Sequence, residues 1–357
     1  MSNSPAPLVV QYLYVHEREE GFYYPTIRAD ASAHGVAIRY LECALTQAAS
    51  LRLQDAPCDL ALATNIRDAG ALGDTGAELI ARLEALGVEM LPTDYVHRPT
   101  EGTRSYVASR YVLDAILSAA ASQPAERILW LTDLDCVWPD PALVFAAAPS
   151  GCEIGCIYMG YQPEWDAVGH GEDGRTRVAI GKLAAGMGGS AEPPQWVGGE
   201  LLCGTPSALR GLVNVCEELD KTLEQEGKSL PNEEQILTLA GASGRVAFRD
   251  LSSVARRMPT GPRSGAPRVA DPQSIGLWHL PSEKGLSLRR TARELRQGRD
   301  APLREDLSDP HRAARRFNVD GTGLRRRLLD DGWLALQRVR SAALTARARP
   351  SGRAPAS

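Results

Sequence analysis

The sequence predicts an α/β protein with a Rossmann-like, mostly parallel sheet flanked by helices, followed by a basic helical tail. Three observations lead there. Short apolar runs alternate with segments of helical period through the first half of the chain. One such run, inside Ile128–Trp138 (ILWLTDLDCVW), ends in two closely spaced aspartates. The charge also changes sign late in the chain, where arginine-rich helical patterns begin. A βαβα order favours parallel strands with helices on both faces.

Leu8–Val15 (LVVQYLYV) reads as a buried first strand, followed by a turn-rich stretch at Gly21–Thr26 and a second strand at Gly35–Leu41 (GVAIRYL). Asp59–Ala63 is a third. Thr75–Leu86 places Leu79, Ile80, Leu83 and Leu86 on one helical face, with Gly87 as the stop. Val88–Leu91 is a short strand. A helix over Thr103–Ala121 aligns Val107, Tyr111, Val112, Ile116 and Ala119, and leads through Gln123-Pro124 into Arg127–Leu131. Twelve of the 33 glycines fall within Gly151–Glu200, a composition that suits either a mobile loop over a site or a permissive surface insertion. Thr205-Pro206 opens a helix whose apolar face is Leu209, Leu212, Val213, Cys216, Leu219 and Leu223, ending at Gly227. A short helix begins at Asn232, strands follow at Arg245–Phe248 and Ile275–Leu280, and Met258–Ser274 is a Pro, Gly and Arg-rich loop. There is no internal repeat.

At 357 residues, 43% hydrophobic, 24% charged and 6% aromatic, the chain is no disulfide-stapled module, fibre or disordered polymer. Residues 285–357 hold 17 Arg, no Lys and 8 Asp or Glu, a net +9; the overall −4 therefore leaves −13 for residues 1–284. An acidic body offers no basic face for nucleic acid. The expected division is a main domain over 1–284, a basic helical extension over 285–340 and a disordered tail over 341–357. In the extension, Leu286–Leu295 and Leu324–Leu336 have amphipathic helical patterns. It could dock on the acidic body through its first helix, touch an anionic membrane, or meet an acidic acceptor. The seven cysteines form no CxxC pair and read as free, buried thiols of a reducing compartment. Met1–Pro7 lacks the features of an export signal, and no run approaches the ~20 apolar residues of a membrane span, so a soluble, cytoplasmic protein is expected.

Chemistry concentrates at Asp133-Leu134-Asp135. Carboxylates two apart on an extended chain face the same side, at the strand end where open α/β sheets bind ligands, and can share one hard cation. Aspartates also simply end strands and cap turns, but the apolar run before this pair favours the metal reading.

Here the sequence resembles the nucleotide-sugar-dependent glycosyltransferases of the GT-A fold, whose metal-binding Asp-x-Asp ends such a strand. Three later segments follow in the family's order. Val197–Gly204 (VGGELLCG) is similar to the small-residue strand under the donor sugar in retaining branches, which implies donor contact at Gly198 and Gly199. Asn232–Thr238 (NEEQILT) resembles the acidic helix start of the blood-group A/B-type galactosyltransferases and glycogenin-like enzymes, and puts Glu234 at the catalytic and Glu233 at the sugar-holding position. Leu277–Lys284 (LWHLPSEK) is similar to the His-x-x-Gly-x-x-Lys element, one residue shorter and without its Gly; it implies His279 in the metal shell and Lys284 on the diphosphate.

Each residue also has a bland reading. Asn232 and Gln235 form a capping box that favours acids at Glu233 and Glu234, a strand His is commonly structural, and a Gly pair can be a bulge. Arg104 and Arg110 are candidates for donor phosphates, or for a solvated helix face. Tyr12 and Tyr14 are candidates for stacking on the base, or for burial in the first strand.

The resemblance implies a Mn²⁺- or Mg²⁺-dependent transfer of a sugar from a nucleotide diphosphate sugar to an acceptor hydroxyl or amine, with retention. The cation would be held by Asp133, Asp135 and His279, and Asp133 would also face the donor. The acceptor is a small molecule, a glycan or a protein. The alternatives are a nucleotidyltransferase, which the acidic His16–Gly21 segment disfavours where a basic phosphate loop would stand, and a non-catalytic sugar-nucleotide-binding protein.

Overall fold

A computed structural model describes residues 5–16, 33–98, 108–159, 177–230, 232–258, 260, 269 and 271–319. Strand β1 (Leu8–Leu13) is followed by helix α1 (Ala33–Arg52), β2 (Asp59–Thr64), α2 (Gly73–Ala85) and β3 (Val88–Pro92). Next come α3 (Tyr111–Ala120), β4 (Leu129–Thr132), the two-residue β5 (Cys136–Val137), α4 (Pro141–Ala146) and β6 (Ile154–Tyr158). Helix α5 (Arg177–Gly186), β7 (Val197–Gly204), α6 (Pro206–Gln225) and α7 (Glu233–Ala242) complete the middle of the chain. Strands β8 (Phe248–Asp250), β9 (Ala255–Arg257) and β10 (Leu277–His279) precede three helices, α8 (Ser287–Arg296), α9 (Ala301–Leu307) and α10 (Pro310–Arg316).

The expected α/β class is observed. The main sheet runs β3-β2-β1-β4-β7-β6-β8, and only β7 opposes its neighbours, β4 and β6. Because the strands are covered on both faces, successive side chains serve two cores. Val9, Leu60, Leu62 and Trp130 pack with α1, α2 and α8. Leu8, Val10, Ala61, Ala63, Leu129 and Leu131 pack with α3, α6 and α7.

Several sequence expectations need correction. Gly35–Leu41 is not a strand but the start of α1. Its buried residues Val36, Ala37, Leu41, Ala44, Leu45, Ala48 and Ala49 recur with helical period, which a seven-residue window rich in β-formers conceals. The glycine-rich 151–200 region is only partly loop, since it holds β6, α5 and the first half of β7. Helix α3 starts at Tyr111 rather than Thr103, and Thr103–Val107 lie outside the described residues. Strand β8 sits later than Arg245–Phe248. The other helices and strands fall close to their expected places. Gly87 ends α2 with φ +73°, and Thr205 caps α6 by accepting from the Ala208 N–H. All seven cysteines are free, and only Cys152 is exposed. No helix among the described residues is long and apolar enough to cross a membrane.

The tail's first helix docks as expected, on α1. Leu288, Ala292 and Leu295 are buried there, and Thr46 Oγ1 of α1 lies 3.1 Å from the Leu288 carbonyl. Arg296 pairs with Glu78 of α2. Leu324–Leu336 and Arg347–Ser357 lie outside the described residues. On the opposite face, His97 clips the segment after β3 to two helices. Its Nδ1 is 2.7 Å from Asp114 Oδ1 of α3, and its Nε2 is 2.9 Å from Glu217 Oε1 of α6. Asp114 Oδ2 also accepts the Val96 and His97 backbone N–H groups.

Two predictions follow from this packing. Leu288→Ala should destabilise the protein by about 2–5 kcal/mol in urea unfolding, since it deletes a fully buried side chain; a change below about 0.5 kcal/mol would mean that α8 is not part of the core. The hydrogen bond to Asp114 raises the His97 pKa, overcoming burial. Its contribution to stability should therefore be complete below the ordinary value of 6.5 and disappear as pH rises through the folded value. His97→Gln should remove that slope above about pH 6.5, and a difference from wild type that stays flat as pH rises from there would exclude a protonated clip.

Candidate active site

Two backbone registers assemble the site. Asp133 follows directly on β4, and its N–H donates to the Glu200 carbonyl of β7 at 3.1 Å, so Glu200 stands across from the Asp-x-Asp. The small sheet orders β5-β10-β9. Within it His279 pairs with Cys136 on one side and Arg257 on the other, and the Leu280 N–H donates to the Asp135 carbonyl at 2.9 Å. An imidazole distant in sequence thus meets both aspartates. His279 Nε2 lies 3.1 Å from Asp135 Oδ2 and 3.4 Å from Asp133 Oδ2. The 3₁₀ turn Pro281–Glu283 then returns Lys284 to the same place, with Nζ 2.7 Å from Asp135 Oδ2.

The Val-Gly-Gly-Glu segment has a steric explanation. A Cβ on Gly198 would stand 2.2 Å from Glu200 Oε2, and one on Gly199 2.5 Å from Glu233 Cγ. The glycine pair therefore leaves room for two carboxylates. Glu233 and Glu234 open α7 behind the expected Asn232–Gln235 capping box. Glu234 Oε2 accepts from Trp196 Nε1 at 2.9 Å, while Arg257 Nη2 lies 3.5 Å from its Oε1. The same Arg257 places Nε 3.1 Å from Glu200 Oε1.

Five carboxyl groups, on Asp133, Asp135, Glu200, Glu233 and Glu234, face three cationic groups, on His279, Lys284 and Arg257. The excess is visible in the titration of the site. Burial and then Glu234 push Glu233 up to about 8. Burial also raises Glu234, against Arg257, and raises Asp133, against His279. Asp135 goes the other way, because Lys284 and His279 overcome its burial and hold it far below the carboxylate range. Glu200 is likewise held down, at about 2, where Arg257 and His279 outweigh burial. His279 is raised to about 9, since Asp135 and Glu200 together overcome its desolvation.

These residues fit a divalent cation. One ligand atom from each of Asp133, Asp135 and His279 lies within 4.8 Å of the others. Asp135 Oδ2 and His279 Nε2 are buried and face each other at 3.1 Å, close enough to be ligands of one ion. Two carboxylates and an imidazole are a donor set for Mn²⁺ or Mg²⁺, with the nitrogen favouring Mn²⁺.

The remaining candidates separate. The Tyr12 hydroxyl donates to Asp133 Oδ1 and also lies 3.2 Å from the Gly199 carbonyl, so it orients the aspartate from β1. Tyr14 packs in a buried cluster with Tyr95 and Tyr111, at ring-centroid separations of 4.9 and 5.4 Å. Arg110 is committed to Asp220 of α6 through contacts of 2.6 and 2.9 Å and to the Leu230 carbonyl, where it joins α3 to α6. It does not join the acidic cluster. Arg104 lies outside the described residues, as does most of the Met258–Ser274 segment.

Sequence reasoning missed Glu200, Arg257 and Trp196. The signal for Glu200 was present: an acid after two glycines inside an otherwise apolar strand has to be paired. Arg257 was masked by the abundance of arginine around it, and Trp196 stands just outside the quoted strand.

No protein-family model matches the chain, and no curated protein matches it in sequence. Solved structures similar in shape include the galactosyltransferase LgtC in complex with donor and acceptor sugar analogues, with a TM-score of 0.48 and 11% identity over 82% of this chain and 95% of that one. Mouse xyloside xylosyltransferase 1 in its apo form aligns with a TM-score of 0.44 and 11% identity, covering 77% of this chain and 97% of that chain. The bifunctional glycosyltransferase WbbM aligns with a TM-score of 0.49 and 10% identity over 86% of this chain, which spans 52% of that longer protein.

Proposed function

We propose that this chain is a glycosyltransferase of the GT-A type, using a divalent cation to transfer a sugar from a nucleotide diphosphate sugar to an acceptor hydroxyl or amine with retention of configuration. The observation that carries this reading is the meeting of Asp133, Asp135 and His279 at one point, with a second carboxylate pair, Glu233 and Glu234, opening a helix beside them. A bound Mn²⁺ would neutralise charge developing on the departing diphosphate.

The chain's own residues divide the rest of the work. Tyr12 fixes the rotamer of Asp133, and Asp135 is kept ionised by Lys284 and His279. Lys284 is within reach of a diphosphate that competes with Asp135 for its ammonium group. Glu234 is aimed by two donors, Trp196 and Arg257, and would stabilise the oxocarbenium-like sugar or attack it as a nucleophile. Burial and then Glu234 raise the Glu233 carboxyl, and in its neutral form it can donate a hydrogen bond to a sugar hydroxyl. Gly198 and Gly199 keep this space clear. The donor is a nucleotide diphosphate sugar, the acceptor a small molecule, glycan or protein, and the compartment cytoplasmic.

Nucleoside diphosphates and their sugars, screened by thermal shift, should raise the melting temperature only when Mn²⁺ or Mg²⁺ is present, because a ligand that binds only the folded state stabilises it by mass action. Stabilisation by nucleoside triphosphates alone would point instead to nucleotidyl transfer. Asp135→Asn should lower transfer by more than about 100-fold with the fold intact by circular dichroism; full activity in that variant, or turnover without metal, would overturn the assignment. Glu234→Gln should cut turnover by about 10²- to 10⁴-fold while Mn²⁺ affinity is unchanged, and an unchanged turnover number would remove Glu234 from the reaction.

A further inference from the structure

The three helices after Lys284 enclose a cleft of their own. Arg290 and Glu294 stand one turn apart on α8, Asp306 is on α9, and Arg312, Arg315 and Arg316 share α10. Together they line a surface cleft of about 400 Å³. Its lining is wholly charged, four guanidinium groups against two carboxylates. The volume is that of a small-ligand site, for which about 300–1,000 Å³ is usual, but no apolar wall is present.

Both acids are already committed. Arg316 is buried, and it donates to Glu294 Oε2, to Asp306 Oδ2 at 2.8 Å and to Thr291 Oγ1 at 3.1 Å. A buried guanidinium depends on such partners, so their charge is not free to serve the other arginines. Arg312 takes Glu305 at 2.7 Å and lies 3.4 Å from Asp306 Oδ1. Two exposed arginines are left over, Arg290 and Arg315. Arg290 is anchored by the Arg316 carbonyl, 2.8 Å from its Nη2, which leaves its other donors unspent. The Arg315 side chain has no ion pair or hydrogen bond among the described residues. The rest of the tail brings no compensating charge, because residues 320–357 hold eight Arg and three Asp, a net +5.

Two guanidinium forks on different helices, above a base that neutralises itself, match the oxygens of a phosphate. A phosphate monoester carries about −1.5 to −2 at neutral pH, which answers an excess of two positive charges. We infer that the cleft between α8 and α10 is a binding site for a phosphate monoester, held by Arg290 and Arg315. Bound there, the ester joins α8 to α10 through the two forks. The inference is independent of the catalytic reading, since none of these residues belongs to the acidic cluster.

The test is calorimetric titration of the full-length protein with glucose 6-phosphate, in EDTA to keep divalent ions from the acidic cluster, with glucose as the control. Glucose 6-phosphate should bind and glucose should not. Arg290→Gln combined with Arg315→Gln should weaken binding by at least about 10-fold, because two charge-assisted contacts are lost, while circular dichroism stays unchanged. Cosedimentation with phosphatidic acid vesicles identifies the source of the ester. Vesicle binding that needs both arginines, without binding of glucose 6-phosphate, would assign the site to a lipid headgroup; the reverse would assign it to a soluble ester. Binding that does not require the phosphate, binding unchanged in the double variant, or no binding of either probe would overturn the proposal. In the wild type, the Arg290 and Arg315 Nε–H resonances should shift as the bound ester is titrated in, and shifts confined to other arginines would overturn it as well.

Discussion

Carboxylate charge held in excess, and out of water, is the constraint to which the rest of the structure answers. Five acids converge where the end of β4, the middle of β7 and the start of α7 meet, and three cations from late in the chain are brought to them. Burying like charges raises each remaining pKa until protons or a cation relieve it. The path of the chain beyond residue 250 serves that relief: β9 carries Arg257, β10 carries His279, and one 3₁₀ turn brings back Lys284. The small sheet contributes little area, but its pairing register decides whether the imidazole reaches the aspartates.

Much of this was legible in the residues alone. The run before Asp133 announced a buried strand, Thr205-Pro206 and Asn232–Gln235 announced helix starts, and the four short motifs quoted from the sequence meet at one place in the fold. What was not legible depended on partners far away in sequence. Gly35–Leu41 looks like a strand until its pattern is followed to Ala49, because seven residues hold barely two turns of a helix. Arg110 resembles a phosphate ligand until Asp220 appears on the facing helix. Tyr12 and Tyr14, alike in the sequence, belong to one tyrosine cluster, in which Tyr14 is buried while the Tyr12 hydroxyl reaches out to Asp133. Conversely, the glycine pair could be located but not explained, since the atoms that forbid a Cβ belong to Glu200 and Glu233.

Arg257 joins two parts of the site that would otherwise be independent. One guanidinium spans Glu200, beside the imidazole, and Glu234, at the start of α7. A planar fork of donors suits that bridging role, whereas a lysine would serve one carboxylate at a time. The orientations of the His279 imidazole and of the Glu234 carboxylate are in this way tied to the same side chain.

The hydrogen bonds of Glu283 give the basic appendix another character. Its buried carboxylate accepts from Ser287 Oγ at 2.6 Å, at the start of α8, and from Asn318 Nδ2 at 2.9 Å, just past α10. Glu283 immediately precedes Lys284, so both ends of the three-helix segment are fastened to the turn that carries the lysine. Charge changes sign at this point in the chain, but mechanical continuity does not. The arginine-rich helices work as a splint, and a chain shortened to its acidic part would keep Lys284 in its sequence while losing the scaffold that holds its ammonium group against Asp135.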